Sequence, residues 1–142
     1  MNSKTIKFVY RTLLAGSCCM MLGVVLGSLG THVLRGEIAA GALAAFQTGV
    51  RYQFYHGLGL MALGFSRAVM PENRLLDRRL LQWSGLSMLL GVIVFSGSLY
   101  LYAFTGLKIF GLITPLGGSL LMTSWLLFAI AILKGRRHLK SI

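Results

Sequence analysis

A chain of 142 residues that is 56% hydrophobic and only 12% charged, with a mean hydropathy of +0.75, carries more apolar surface than a water-soluble domain of that size hides. Its net charge of +11 is not the footprint of a nucleic-acid binder, because the basic residues flank apolar runs and no basic face with interleaved aromatics occurs. What remains is an all-α integral membrane protein with no room for a soluble catalytic module, since each crossing of about 30 Å of hydrocarbon uses about 20 apolar residues.

Four apolar runs, at 12–34, 53–70, 80–104 and 115–133, predict a transmembrane four-helix bundle in one domain spanning 1–142. The first run carries Gly16, Gly23, Gly27 and Gly30. Gly23 and Gly27 form a small-xxx-small pair, and the other two lie near the same stripe, giving a ridge on which another helix can close. Ala15-Gly16-Ser17-Cys18 faintly resembles a lipoprotein cleavage site, but the apolar run continues past the cysteine, so the segment is read as a retained helix. Cys18 and Cys19 are neighbours without histidine or acid nearby, and they suit small packing residues better than a disulfide or a metal site. Arg35-Gly36-Glu37 reads as a turn. Ile38–Gly49 is alanine-rich and too short to span, which predicts a short interfacial helix between spans 1 and 2, or an extension of the second span. Pro71 ends that span, and Glu72-Asn73-Arg74 begins a polar turn. The third run mixes Gly85, Gly91 and Gly97 with Ser84, Ser87, Ser96 and Ser98, a composition suited to close helix contact. Thr114-Pro115 reads as the opening of the fourth span, threonine capping free amides and proline taking the first helical position. Gly117 and Gly118 follow, and Trp125 lies too deep for an interfacial belt, so a packing role is expected.

The basic residues divide unevenly between the two sides. Lys4, Lys7, Arg11, Arg67, Arg74, Arg78, Arg79, Lys134, Arg136, Arg137 and Lys140 fall on one, and only Arg35, Arg51 and Lys108 on the other. The positive-inside rule then puts both termini in the cytoplasm, with the chain in the inner (plasma) membrane and anionic lipid headgroups as partners at the cytoplasmic face.

Polar residues inside membrane spans are costly, which makes each a functional candidate. Here they gather toward the predicted external side: His32, Arg51, Tyr52, Gln53, His56, Ser96, Ser98, Tyr100 and Thr114. Tyr52 and Gln53 stand four and three residues before His56, so the three share one helical face. A polar cluster in the outer leaflet is therefore expected, with Gly23, Gly27, Gly30, Gly97, Gly117 and Gly118 serving helix packing. The structural reading is that these groups hydrogen-bond across the bundle, at about 0.5–2 kcal/mol each. The alternative is a binding or transport protein whose cluster holds a lipid, quinone or small solute. Two histidines on different helices have the chemistry of haem axial ligands, but neither cofactor nor metal is expected, since a metal needs more ligands than two histidines supply. Catalysis is not expected either: Glu37 is the one acid on that side, and no serine or cysteine has a plausible base and orienter.

Four motifs in order carry a family resemblance: Gly27-Ser28-Leu29-Gly30-Thr31-His32, then Phe46 through His56, then Phe95-Ser96-Gly97-Ser98-Leu99-Tyr100, then Ile113-Thr114-Pro115-Leu116-Gly117-Gly118 with Trp125 beyond. On these the chain resembles the YgdD/YwdK-type small inner-membrane proteins, an uncharacterised family. Thr31 stands where alanine is commoner there. The resemblance implies a multi-pass protein of four helices and brings no activity, substrate, cofactor or catalytic residue. The function expected is that of a structural or accessory membrane component, packing against itself as a homo-oligomer or against a larger membrane complex.

Overall fold

The computed structural model describes residues 3–70 and 76–139, with side chains as far as Lys134. Four helices make up these residues: α1 (Ser3–His32), α2 (Ala40–Val69), α3 (Arg78–Thr105) and α4 (Lys108–Leu139). At 1.5 Å per residue each is about 42–48 Å long, enough to reach from headgroup to headgroup. The expected polar turn at Glu72-Asn73-Arg74 lies outside the described residues.

The connections are short, so sequential helices run antiparallel. α3 and α4 make the most extensive contact, followed by α1 with α2 and α2 with α3, while α1 and α3 only brush. α2 and α3 thus form the centre, with α1 and α4 laid against them. Gly36 (φ 91°) and Gly106 (φ 68°) occupy the left-handed region, where a side chain would strain the backbone. Gly106 ends α3, its N–H bonding to the Tyr102 carbonyl at 2.8 Å. Asp77 begins α3 by accepting from the Leu80 N–H at 3.1 Å, a standard helix cap.

Each helix buries one stripe. On α1 it is Thr5, Val9, Thr12, Gly16, Gly23 and Gly30, at steps of three, four or seven, and the glycine ridge faces α2. A Cβ added at Gly16 would meet the Gly57 carbonyl at 2.7 Å; at Gly23 it would meet the Phe54 ring at 3.0 Å, and at Gly30 the Phe46 ring at 3.1 Å. The partner of that ridge is therefore within the chain. On α4 the stripe is Gly117, Leu121, Ser124 and Ala131, turned toward α3.

Of the two readings of 38–49, the separate interfacial helix gives way to the extension of the second span, for residues 40–49 are the first third of α2. Nothing between Ala40 and Gln53 breaks a helix, and Phe46 and Val50 are buried there, which gives the segment a packing reason to continue. The expected opening of the fourth helix at Thr114-Pro115 needs correcting, for α4 begins at Lys108 and holds Pro115 in its interior. Thr114 donates back to the Phe110 carbonyl at 3.1 Å instead of capping. Proline removes one backbone bond, a loss that transmembrane helices tolerate when neighbouring groups compensate.

Three helices, α1, α3 and α4 through Lys134, are long and apolar enough to cross a membrane. α2 matches them in length but not in apolarity. It is one of the two central helices, and eleven of its residues are buried against its neighbours.

Candidate functional site

Because α2 starts at Ala40, Gln53 and His56 lie about 20 Å and 24 Å along it, near the middle of its length. The apolar run 53–70 alone places them at the start of a span. Gln53 is 6% exposed and ties three helices together. Its Nε2 donates to the Cys19 carbonyl of α1 at 2.8 Å, and its Oε1 accepts from the Tyr100 hydroxyl of α3 at 2.9 Å. The Cys19 carbonyl already serves α1's own ladder, so this bond uses its second lone pair.

Around that bridge the helices close tightly. Ser96 donates to the Gly49 carbonyl at 2.8 Å, and a Cβ at Gly49 would meet the Tyr100 ring at 2.7 Å. Glycine is needed at 49 for α3 to come so near. The Tyr100 ring also packs on Phe46, with centroids 5.0 Å apart.

A second set of bonds fastens α3 to α4. Ser98 and Thr114 hydroxyls are 2.8 Å apart, Ser87 donates to the Leu120 carbonyl at 2.8 Å, and Ser84 donates to the Ser124 carbonyl at 2.7 Å. Among the described residues, no fully buried side-chain nitrogen or oxygen lacks a partner.

His56 is buried too, 6% exposed. Its Nδ1 sits 2.8 Å from the Tyr52 carbonyl. A carbonyl only accepts, so that nitrogen carries the proton. The imidazole stacks on Tyr52 (centroids 5.9 Å, 23°), which stacks in turn on Phe95 of α3 (4.5 Å, 29°). Trp125 of α4 closes the other side at 6.1 Å and reaches over Gly59. Trp125 thus packs with one face, as expected of it, and stays 42% exposed at the edge of an aromatic file that joins three helices.

Not every sequence candidate joins this assembly. Gln53, His56, Ser96, Ser98, Tyr100 and Thr114 do, with Tyr52 at its rim. His32 does not: it is exposed at the end of α1. Gly30 beside it packs on Phe46, which is about 15 Å along α2 from His56. His32 and His56 therefore do not come together in the bundle. Arg51 is exposed and donates to Thr48 of its own helix at 3.1 Å. Of the packing glycines, Gly97 has nothing within 4 Å of an added Cβ, whereas Gly117 lies against the Phe95 backbone and Gly118 in ordinary contact with its ring. Gly97 simply points away from the seam. No group of three or more histidine, cysteine or acidic side chains is placed to hold a metal among the described residues.

Sequence reasoning missed two features near the other end. Arg67, counted as a loop charge, is 5% exposed in the last turn of α2. It donates to Thr5 Oγ1 at 3.1 Å and to the Met70 carbonyl at 3.4 Å. A cavity of about 410 Å³ also opens between α1 and α3, edged by Lys4, Lys7, Arg11 and Arg78. The signal for it was present in the spacing, because residues 4, 7 and 11 share one helical face.

The family model of a protein of unknown function, DUF423, matches residues 26–118. A UPF0382 membrane protein of Staphylococcus haemolyticus is 37% identical over 122 residues, covering 86% of this chain and 94% of its own length. The UPF0382 membrane protein YwdK of Bacillus subtilis is 36% identical, covering 86% and 95%. The UPF0382 inner membrane protein YgdD of Escherichia coli K12 is 33% identical over 114 residues, covering 80% and 82%. No solved structure matches the chain.

Proposed function

The chain belongs to the DUF423 family, and from that premise we propose that this small multi-pass membrane protein is a non-enzymatic structural or accessory component. Its intramembrane polar residues fasten its own helices. The observation that carries this reading is the Gln53 bridge: the side chain's nitrogen donates to the Cys19 carbonyl of α1 and its oxygen accepts from Tyr100 of α3, so both ends of the buried amide are engaged by neighbouring helices. Ser96, Ser98 and Thr114 are committed in the same way. A binding site would aim such groups into open space.

The cytoplasmic (inner) membrane is the location proposed, as the name of the Escherichia coli relative states for that protein. Both termini face the cytoplasm on the weight of basic residues at their end. The exposed apolar faces of α1 (Met21, Val24, Val25) and α4 (Leu112, Leu116, Met122) are covered by lipid, a second copy or a larger membrane complex.

Native mass spectrometry and thermal unfolding of the gently extracted protein, compared with Gln53→Leu, test the fastening role. The expected result is a lower Tm with an unchanged pattern of bound species. A variant with full stability that has lost a reproducible adduct would overturn it and favour the binding alternative. Fusions at the carboxy terminus test the orientation: green fluorescent protein should fluoresce and alkaline phosphatase should stay inactive.

A further inference from the structure

α1 and α3 both lie on α2 but scarcely on each other. Where they come nearest, Gly85 of α3 faces Phe8 and Thr12 of α1 at about 3.5 Å from an added Cβ. Around that point the two helices enclose the cavity of about 410 Å³, within the size range of small-molecule sites, about 300–1,000 Å³. Its chemistry is divided. Lys4, Lys7 and Arg11 from α1 and Arg78 from α3 supply its charge, while Phe8, Leu60, Leu86 and Leu89 make the rest mainly apolar, with Thr12 and Gln82 the polar exceptions.

No carboxylate lines the cavity among the described residues. Asp77, next to Arg78, is turned to the Leu80 N–H of its own helix. Four cations thus line the cavity with no carboxylate among its described lining residues, on the side of the bundle that carries both termini. From there an apolar trough runs toward the membrane interior, and its Leu86 is 47% exposed.

We propose that this groove binds one anionic phospholipid, its phosphate held among Lys4, Lys7, Arg11 and Arg78 and one acyl chain laid over Phe8 and Leu89. Charge complementarity selects the anion, since basic pockets between membrane helices hold anionic headgroups. The apolar trough selects a lipid over a free anion, because inorganic phosphate would leave it empty. This goes beyond the fastening role and rests on membrane insertion alone, so the stability of Gln53 variants and the occupancy of this groove are separate readouts.

The test is native mass spectrometry of the detergent-extracted, delipidated protein titrated with phosphatidylglycerol, with phosphatidylethanolamine as the zwitterionic comparison and inorganic phosphate as competitor. A single phosphatidylglycerol adduct, preferred over phosphatidylethanolamine and not displaced by phosphate, is expected. The double variant Lys7→Gln/Arg11→Gln should bind it roughly thirtyfold more weakly, at about one kcal/mol per cation. Arg79→Gln/Lys134→Gln removes the same charge from exposed positions outside the groove and should leave the affinity within about twofold of native. Equal loss in both double variants, no preference between the two lipids, or displacement by inorganic phosphate would each overturn the proposal. The lipid preference of the unmodified protein decides the matter even if a variant fails to fold.

Discussion

Replacing Gln53 with leucine probes the three-helix bridge at its centre. The two side chains are close in volume, so packing stays near native density and what goes is chiefly the amide. Lost are the bond to the Cys19 carbonyl and the one accepted from Tyr100. Interhelical hydrogen bonds in membranes average about 0.6 kcal/mol and reach about 1.7. Two of them amount to about 1–3 kcal/mol. Tyr100→Phe removes one bond and should cost about 0.5–1.5 kcal/mol. In the double variant the shared bond is lost only once, so the summed single effects should exceed the double by about 0.5–1.5 kcal/mol. Reversible unfolding in mixed detergent micelles, followed by circular dichroism, reads all four proteins. A coupling of zero within error, or a Gln53→Leu protein as stable as native, would refute the bridge as a fastening.

Other consequences follow from the same packing. Gly117→Ala sets a methyl 2.6 Å from the Phe95 Cα, backbone that cannot step aside, and should cost at least about 1–3 kcal/mol. Gly97→Ala, with nothing within 4 Å, should be neutral or stabilise by up to about 1 kcal/mol through helix propensity; if the two alanine variants unfold alike, the α3–α4 seam is misplaced. His56→Ala opens a gap between Tyr52 and Trp125 and should lower stability by about 1–3 kcal/mol. His32→Ala should stay within about 0.5 kcal/mol of native in the same titration, and a large loss there would mean that His32 has a partner in the bundle.

The resemblance read from the four motifs is the family that the comparisons show, and the motif residues Phe46, Gln53, Ser96, Tyr100 and Thr114 are those the structure joins. The glycine ridge of α1 was legible because helical period alone aligns Gly16, Gly23 and Gly30 on one face. The start of α2 was not. Its first ten residues are too mild to declare themselves, and only burial of Phe46 and Val50 against neighbouring helices gives them a reason to join the long helix. Pro115 misled for a related cause: proline marks helix starts in water-soluble proteins, whereas a membrane helix can carry it inside.

The sequence by itself determined that this chain is a helical membrane protein, where its polar misfits lie and how its charge is divided. Length, apolarity and charge are sums along the chain and need no fold to be counted. Only the tertiary structure decided which misfits meet. Gly97 and Gly117 look alike as letters, as do His32 and His56, yet one of each pair is packed inside and the other stands free. That outcome depends on the relative depth and rotation of antiparallel helices, which neither composition nor period encodes. The same arrangement set Arg78 of α3 beside the Lys4, Lys7 and Arg11 face of α1, turning residues read as markers of topology into the rim of a groove.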